Sequence, residues 1–441
     1  MPDKISRKDF IRYGAAAATG IGLTARVGSL AAGPDMGTGR IGVGLVGCGN
    51  RGRNLLSTML SMADLRFPAF CDVNPNNAAQ AAQLVTGQGQ PQPELYTRGE
   101  TDFRRMFERD DLDAVIIASP WHWHTPMAVA AMESGKYAGV EVPAAITLEQ
   151  SWQLVDTHER TGVPCMMLEN WSFRRDNLAV LKMIRAGLFG EIVHCHCAHS
   201  HDCIDHWFFN PQGEMQWGGQ YLLWRNADQY PTHSLGPVLS WMDLGCGDYY
   251  DYLTSTATRS SGINAYFARK FGPDHPNARR SYAQGDIVST VIRTLRGSTI
   301  VINYDMQLPR PYDNRWMIQG TLGLYNEQRQ AVYLTGVSPQ YHEWEPFAPY
   351  QEKYEHSWWK KMLDNPEQYG HGGTDYLELR KFFDAVGSRS QTPIDVYDSV
   401  AMSALVALSE KSIAQGSAPV KFPDFTRGHW RTRQPSFAVE A

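Results

Sequence analysis

A chain of 441 residues is too long for one small domain and comfortable for two. Its composition, 43% hydrophobic and 20% charged, is ordinary for a globular protein, and a formal charge of −5 gives no reason to expect a nucleic acid or an anionic membrane as partner. Thirteen Trp and twenty Tyr leave two uses open, the filling of a large core and the binding of apolar sugar faces, and polar stretches such as Tyr249-Tyr250-Asp251-Tyr252 suit the second.

The N-terminus has the parts of an export signal over residues 1–31. Ser6-Arg7-Lys8-Asp9-Phe10 precedes an uncharged run from Tyr13 to Ala25, and small residues follow at Ser29-Leu30-Ala31. The run is too short to span a bilayer, which takes about 20 apolar residues, so no stable membrane insertion is expected. The frame resembles a twin-arginine signal with Lys8 in place of the second arginine, and implies a periplasmic or secreted protein. Seven cysteines, several inside predicted strands, do not form a disulfide framework and read as small buried hydrophobes.

After a linker over 32–39 a regular alternation begins. Ile41 to Val46 is a short apolar run of the buried-strand type, and helical spacing follows to about Met62. Leu65 to Cys71, Asp113 to Ser119, Lys136 to Val142 and Pro164 to Leu168 are further strands. Helices at about 76–86, 124–134 and 148–161 separate them. Strands alternating with helices predict a doubly wound parallel sheet, an α/β Rossmann dinucleotide-binding domain over 40–170. Beyond it the pattern changes. Strand-like stretches from Glu191, Asp286, Ser298 and Trp316, with late helices at about 374–387 and 395–414, predict an α+β domain over 171–441. Its sheet is expected to be open and largely antiparallel, with a free face available for pairing with another copy.

Gly47-Cys48-Gly49-Asn50-Arg51-Gly52 completes G-x-G-x-x-G directly after the first strand. Glycine serves there for a tight turn, for close approach of backbone to pyrophosphate, and for helix–strand packing. The helix that follows offers free N–H groups to the phosphates. Asp72 ends the second strand about 20 residues on, where a carboxylate grips the ribose 2′-hydroxyl and favours NAD over NADP.

Ser119-Pro120-Trp121-His122-Trp123-His124 and Glu141-Val142-Pro143, each at a strand end, resemble the Gfo/Idh/MocA oxidoreductases. More closely, the chain resembles glycoside hydrolase family 109, the NAD-dependent α-N-acetylgalactosaminidases within that group. The likeness includes Leu168-Glu169-Asn170, Phe173-Arg174-Arg175-Asp176, Tyr230-Pro231-Thr232-His233, Gln284-Gly285-Asp286, Arg310-Pro311-Tyr312 and Gly370-His371-Gly372-Gly373. Dehydrogenases of the wider group carry a lysine where Val142 stands, and Val142 has no proton to exchange. The resemblance implies cofactor contacts at Arg51, Gly52, Asp72, Trp121, His122, Trp123, His124, Glu141, Val142 and Asn170. It implies substrate contacts at Arg225, Tyr230, Pro231, Thr232, His233 and Tyr312. Two positions depart from the family pattern: His199 stands where a substrate-contacting tyrosine is usual, and Phe173 replaces another tyrosine.

The implied reaction is hydrolysis of a glycoside with recycled NAD. It proceeds by oxidation at sugar C3, loss of the C2 proton, expulsion of the glycosidic oxygen, addition of water and return of the hydride. Such enzymes stand outside the two-carboxylate scheme. The candidate acids and bases are His233, favoured, with Tyr230, Tyr312 and His199. An exported NAD-dependent sugar dehydrogenase or 3-keto-sugar enzyme, and a binding protein on the same fold, are the alternatives, and Val142 counts against the first of them. His194, Cys195, His196, Cys197, His199, His201, Asp202, Cys203 and His206 form a dense group of potential ligands. Alternation sends Cys195, Cys197, His199 and His201 to one strand face and His194 and His196 to the other. No usual zinc spacing results, and no metal is expected, although His199, His201 and His206 are near enough in sequence to converge with a distant ligand.

Overall fold

The computed structural model describes residues 39–362 and 369–440. The expected export signal and all but the last residue of the linker lie outside the described residues. Two compact units are present. One comprises the chain up to Glu141 together with Asp156–Met166 and Arg380–Thr392. The other comprises Val142–Val155, Met167–Leu379 and the chain from Pro393 onward. The units therefore exchange segments across the boundary expected at residue 170, because the chain crosses back twice.

In the first unit, β1 (Ile41–Val46) is buried along its whole length, as a continuous apolar run in a parallel sheet requires. It leads into α1 (Asn50–Met59), then β2 (Leu65–Cys71), α2 (Pro75–Gly87), β3 (Glu94–Tyr96), β4 (Ala114–Ile117), α3 (Trp121–Glu133) and β5 (Tyr137–Glu141). With α4 (Leu148–Thr161) and β6 (Cys165–Leu168), the sheet has the order β3-β2-β1-β4-β5-β6. The strands β2 and β4 flank β1, both parallel to it. The chain leaves β1 toward one edge and β4 toward the other, so the ends of β1 and β4 mark the switch point where such sheets bind ligands. The α2 helix begins as turn chemistry dictates: the Asn74 side chain accepts from the Asn76 N–H, and Pro75 takes the first position.

The second unit is built on a nine-stranded sheet. Its strands are β7 (Ile192–Ser200), β8 (Tyr250–Ala257), β9 (Ile287–Thr294), β10 (Thr299–Asp305), β11 (Met317–Gly320), β12 (Gly323–Asn326), β13 (Ala331–Leu334), β14 (Glu345–Pro346) and β15 (Val420–Lys421). They lie in the order β14-β13-β12-β11-β7-β10-β9-β8-β15, antiparallel except for β7 against β10. Alternation along β9 buries Val288, Thr290 and Ile292 and exposes Val291 and Arg293, so one face is covered and one is open. The helices α5 (Arg175–Arg185), α6 (Thr232–Trp241), α7 (Gly262–Phe271), α8 (Thr374–Ser388, of which the part from Arg380 belongs to the first unit), α9 (Val396–Ser403) and α10 (Leu405–Ala414) complete the main helices, and the sheet's covered face receives α6 on β7 and α10 on β8. The single late helix expected over 395–414 is two, parted at Ala404.

All seven cysteines are free and six are buried, as small hydrophobes. The strand β8 escapes an apolar-run reading because its sequence, YDYLTSTA, is mostly polar. Tyr249, just before it, and Tyr250, its first residue, also correct the sugar-platform reading. Tyr249 and Tyr250 are buried; Tyr249 donates its hydroxyl to the Pro423 carbonyl (3.1 Å), and Tyr250 stacks on Phe422 at 4.4 Å. These rings fill the core. Among the described residues, no helix is long and apolar enough to cross a membrane.

Candidate active site

The first unit contributes a phosphate cradle made mainly of backbone. Gly47 leaves β1 at φ +84°, and a Cβ there would sit 2.5 Å from the Ala118 carbonyl oxygen. A Cβ on Gly52 would sit 1.9 Å from the Gly47 oxygen, so only glycine lets α1 come this close to the turn. Gly49 differs: a Cβ there meets nothing, so its freedom from a side chain serves the space in front of the loop. No side chain caps α1 and no acid lies in its first turn, which leaves its positive end for an anion. Asp72 lies beside the loop, its Oδ2 accepting from the Cys48 N–H and its Oδ1 from the Asn74 N–H, both at 2.7 Å. Each carboxylate oxygen keeps a lone pair for a ribose hydroxyl. These residues fit a dinucleotide.

Other expected cofactor residues of this unit hold one another in place. Arg51 Nε donates to Glu141 Oε1 at 2.6 Å, tying the start of α1 to the end of β5. Nε2 of His124 meets the Ser119 carbonyl oxygen at 2.7 Å, and Trp121 is buried at the start of α3. Trp123 packs edge-on against Phe103 and tilted against His122. Burial holds His122 down at about 4, so its ring is neutral at ordinary pH.

In the second unit, elements far apart in sequence bring their rings together. His199, near the end of β7, lies 4.8 Å from Tyr230, 5.3 Å from His233 and 5.5 Å from Tyr312, centroid to centroid. Tyr230 and His233 are 5.0 Å apart, and Trp171 adds a wall at 5.8 Å from His233 and 5.9 Å from Tyr312. All four expected acid–base candidates are therefore in one cluster. His199 is 4% exposed, and burial first, then the neighbouring His233 and His201, lowers it well below the ordinary value of 6.5. It is a neutral imidazole, and its buried Nδ1 has no hydrogen-bond partner. Tyr312 is 39% exposed, on the open side of the cluster.

The group that residue patterns missed is Glu169. It is fully buried, and its Oε1 accepts from His233 Nδ1 at 2.7 Å. Ser172 donates to Oε2 through its N–H (2.9 Å) and hydroxyl (2.6 Å), and the Trp171 N–H donates to Oε1 at 3.2 Å. Gly236, one turn into α6, makes the pairing possible: a Cβ there would lie 1.7 Å from Glu169 Oε2. The carboxylate fixes which His233 nitrogen carries the proton and leaves Nε2 to act, as a buried acid does for the histidine of a triad. An acid directly after the buried run Cys165–Leu168 was the available signal.

Pro231 and Thr232 open α6 and aim His233; Tyr230 N–H donates to Asp228 Oδ1 at 3.2 Å. Thr232 is buried, and its hydroxyl has no protein partner. The contacts of Arg225 run elsewhere, from Nε to Glu410 (2.9 Å) and from Nη2 to the Ile146 carbonyl (2.7 Å), while buried Nη1 has no protein acceptor. Asn170 belongs to this unit and donates through Nδ2 to Asp375 Oδ1 at 2.7 Å. Val142 is buried. Phe173 is wholly buried and stacks on Trp358, a setting with no use for a hydroxyl. On β7, His194 and His196 point to the opposite face as alternation requires, bonded to Thr299 and Asn303.

Among known proteins, the family model for the glycosyl hydrolase 109 C-terminal domain matches residues 173–432. That for the oxidoreductase family NAD-binding Rossmann fold matches residues 41–169. An α-N-acetylgalactosaminidase of Tannerella forsythia is 40% identical over 419 residues, covering 91% of this chain and 89% of its own. A glycosyl hydrolase family 109 protein of Stenotrophomonas maltophilia is 37% identical over 91% of this chain and 92% of its own. A levoglucosan dehydrogenase solved with NADH and L-sorbose shares the fold at a TM-score of 0.65 and 20% identity, covering 88% of this chain and all of its own.

Proposed function

The chain belongs to glycosyl hydrolase family 109 and carries an NAD-binding Rossmann domain, and from that premise we propose that it hydrolyses α-N-acetylgalactosaminides or a related glycoside with recycled NAD. Gly47, Gly49, Asn50 and Gly52 would hold the cofactor at its phosphates, and Asp72 at its ribose. When bound, NAD supplies a hydride acceptor that gives the hydride back within the same turnover, so no second redox substrate is consumed. Once a sugar hydroxyl has become a carbonyl, the neighbouring C–H is acidic, and the side chains have only to move protons. That is why histidine and tyrosine suffice where most glycosidases need two carboxylates.

His233 does the main proton transfer, at Nε2, with Glu169 holding its Nδ1. Tyr230 and Tyr312 offer hydroxyls that donate or accept. His199, kept neutral by its burial, backs His233 and Tyr230 without adding a charge to the cluster. Trp171 gives an apolar ring face of the kind that receives a sugar. The absence of an exchangeable proton at Val142 argues against a plain dehydrogenase. Export through the residues 1–31 signal is part of this reading, and it suits a substrate met outside the cytoplasm.

The observation that carries the proposal is the Glu169–His233 pair at 2.7 Å inside the cluster of His199, Tyr230 and Trp171. Aryl α- and β-glycosides, the N-acetylgalactosaminide among them, are incubated with the purified protein in deuterated buffer without added NAD. Aglycone release without net NADH, and with deuterium at sugar C2, is expected. Accumulation of NADH identifies a dehydrogenase, and aglycone release without C2 exchange removes the elimination step.

A further inference from the structure

The polypeptide leaves β7 at Ser200 and stays tied to the end of β10: the His201 N–H donates to the Asp305 carbonyl (2.8 Å) and the Cys203 N–H to that of Met306 (3.1 Å). A single π-helical turn, Ile204–Phe208, follows, and the Trp207 and Phe208 N–H groups both donate to the Cys203 carbonyl. Single π turns are uncommon and concentrate at functional sites. The result is that His201, Cys203 and His206 converge, their ligand atoms all within 4.8 Å of one another. The two imidazoles lie 5.2 Å apart, centroid to centroid. The set differs from the one that residue order suggests, because His199 goes to the ring cluster and Cys203 takes its place.

We propose that His201, Cys203 and His206 bind one divalent ion of the zinc class. Two imidazoles and a thiolate are the donors that zinc prefers, and they exclude magnesium and calcium, which demand oxygen. Metal distances of about 2.0–2.1 Å to nitrogen and about 2.3 Å to sulfur require the three donors to close by roughly an ångström. His206 is exposed and free of the core, so its ring supplies that movement. Cys203 is 3% exposed, in the apolar cluster with Phe208, Tyr304 and Met306, which sets the sulfur firmly. The Asp205 carboxylate lies 3.6 Å from His206 Nδ1, beyond hydrogen-bond distance but close enough to add negative charge beside the three donors. Three protein ligands leave a fourth position open, as in catalytic rather than structural zinc sites. The location gives this position a use: the His201 ring meets Tyr312 edge-on at 4.9 Å, so the ion sits one ring from the proposed sugar cluster. The readout below is ion binding, so the inference stands or falls separately from the glycosidase reading.

The full chain, reduced and stripped with a chelator, is titrated with cobalt(II) as a coloured stand-in. Expected are one equivalent bound, thiolate-to-cobalt charge-transfer absorption in the near ultraviolet, and its displacement by zinc. The Cys203→Ser chain loses that absorption. His206→Ala, at an exposed position that folding does not depend on, weakens binding by at least about tenfold. No charge-transfer band in the parent chain, a band that survives Cys203→Ser, or unchanged affinity in His206→Ala each overturns the site.

Discussion

The two units do chemistry with different materials. In the first, the working parts are backbone: a turn after β1, the open end of α1, and glycines whose missing side chains make room. In the second, the working parts are side chains brought from β7, the turn after β6, α6 and the loop before β11. A backbone site needs a short contiguous stretch, whereas a side-chain site needs the whole fold to deliver its members. The same residue type exposes the contrast. Gly49 serves space for a ligand, while Gly236 serves space for the protein's own carboxylate.

The largest expected effect breaks the second unit at its chemistry. His233→Ala lowers the rate of glycoside cleavage about 10²–10⁴-fold, the usual contribution of one general acid or base, with NAD content unchanged. Glu169→Gln gives a smaller loss in kcat with little change in KM, because the ring stays in place but its tautomer is no longer set. A loss confined to KM would remove Glu169 from the mechanism.

Two glycine variants sharpen the contrast itself. Gly236→Ala drives a methyl into Glu169, so it costs about 1–3 kcal/mol of stability and lowers activity together. Gly49→Ala meets no protein atom, so the NAD-free chain unfolds at the same temperature as the NAD-free parent, while NAD is lost on gel filtration. Equal loss of stability in both would erase the distinction between the two kinds of site.

The smallest effects are in the pH dependence of stability, and they have opposite signs. His199 is lowered in the folded chain, so the unfolded chain takes up the proton first as pH falls below about 6.5. Its contribution to stability is whole above that pH and is lost on the acid side; His122, held at about 4, adds to the same limb. Burial raises Asp228 to about 7, so its contribution is whole below about 4 and is lost as pH rises to 7. Thermal melts from pH 4 to 8 are expected to show a flatter acid limb in His199→Gln and a flatter rise-side loss in Asp228→Asn.

Legibility follows the same division. The glycine loop, Asp72 and the β1–β6 alternation were readable, because each depends on neighbours in sequence and on a period. His199, Tyr230, His233 and Tyr312 were singled out by family likeness, and nothing in their spacing says that they meet. Glu169 carries no distinctive pattern, since an acid after a strand is ordinarily solvated, and only the fold shows it wholly buried against His233. Tyr249 and Tyr250 misled in the other direction, because composition cannot tell a ring under a strand from one facing a sugar.

What the amino-acid order determined by itself was local: the parallel alternation, the cradle built from its turn and helix start, and the division of β7 into a buried and an open face. These rest on steric rules and periods that act over a few residues. Tertiary structure alone decided which side chains share a site. It paired Glu169 with His233 across 64 residues, tied Arg51 to Glu141 across 90, and placed Cys203 rather than His199 with His201 and His206. Those choices depend on packing between elements that sequence separation does not encode.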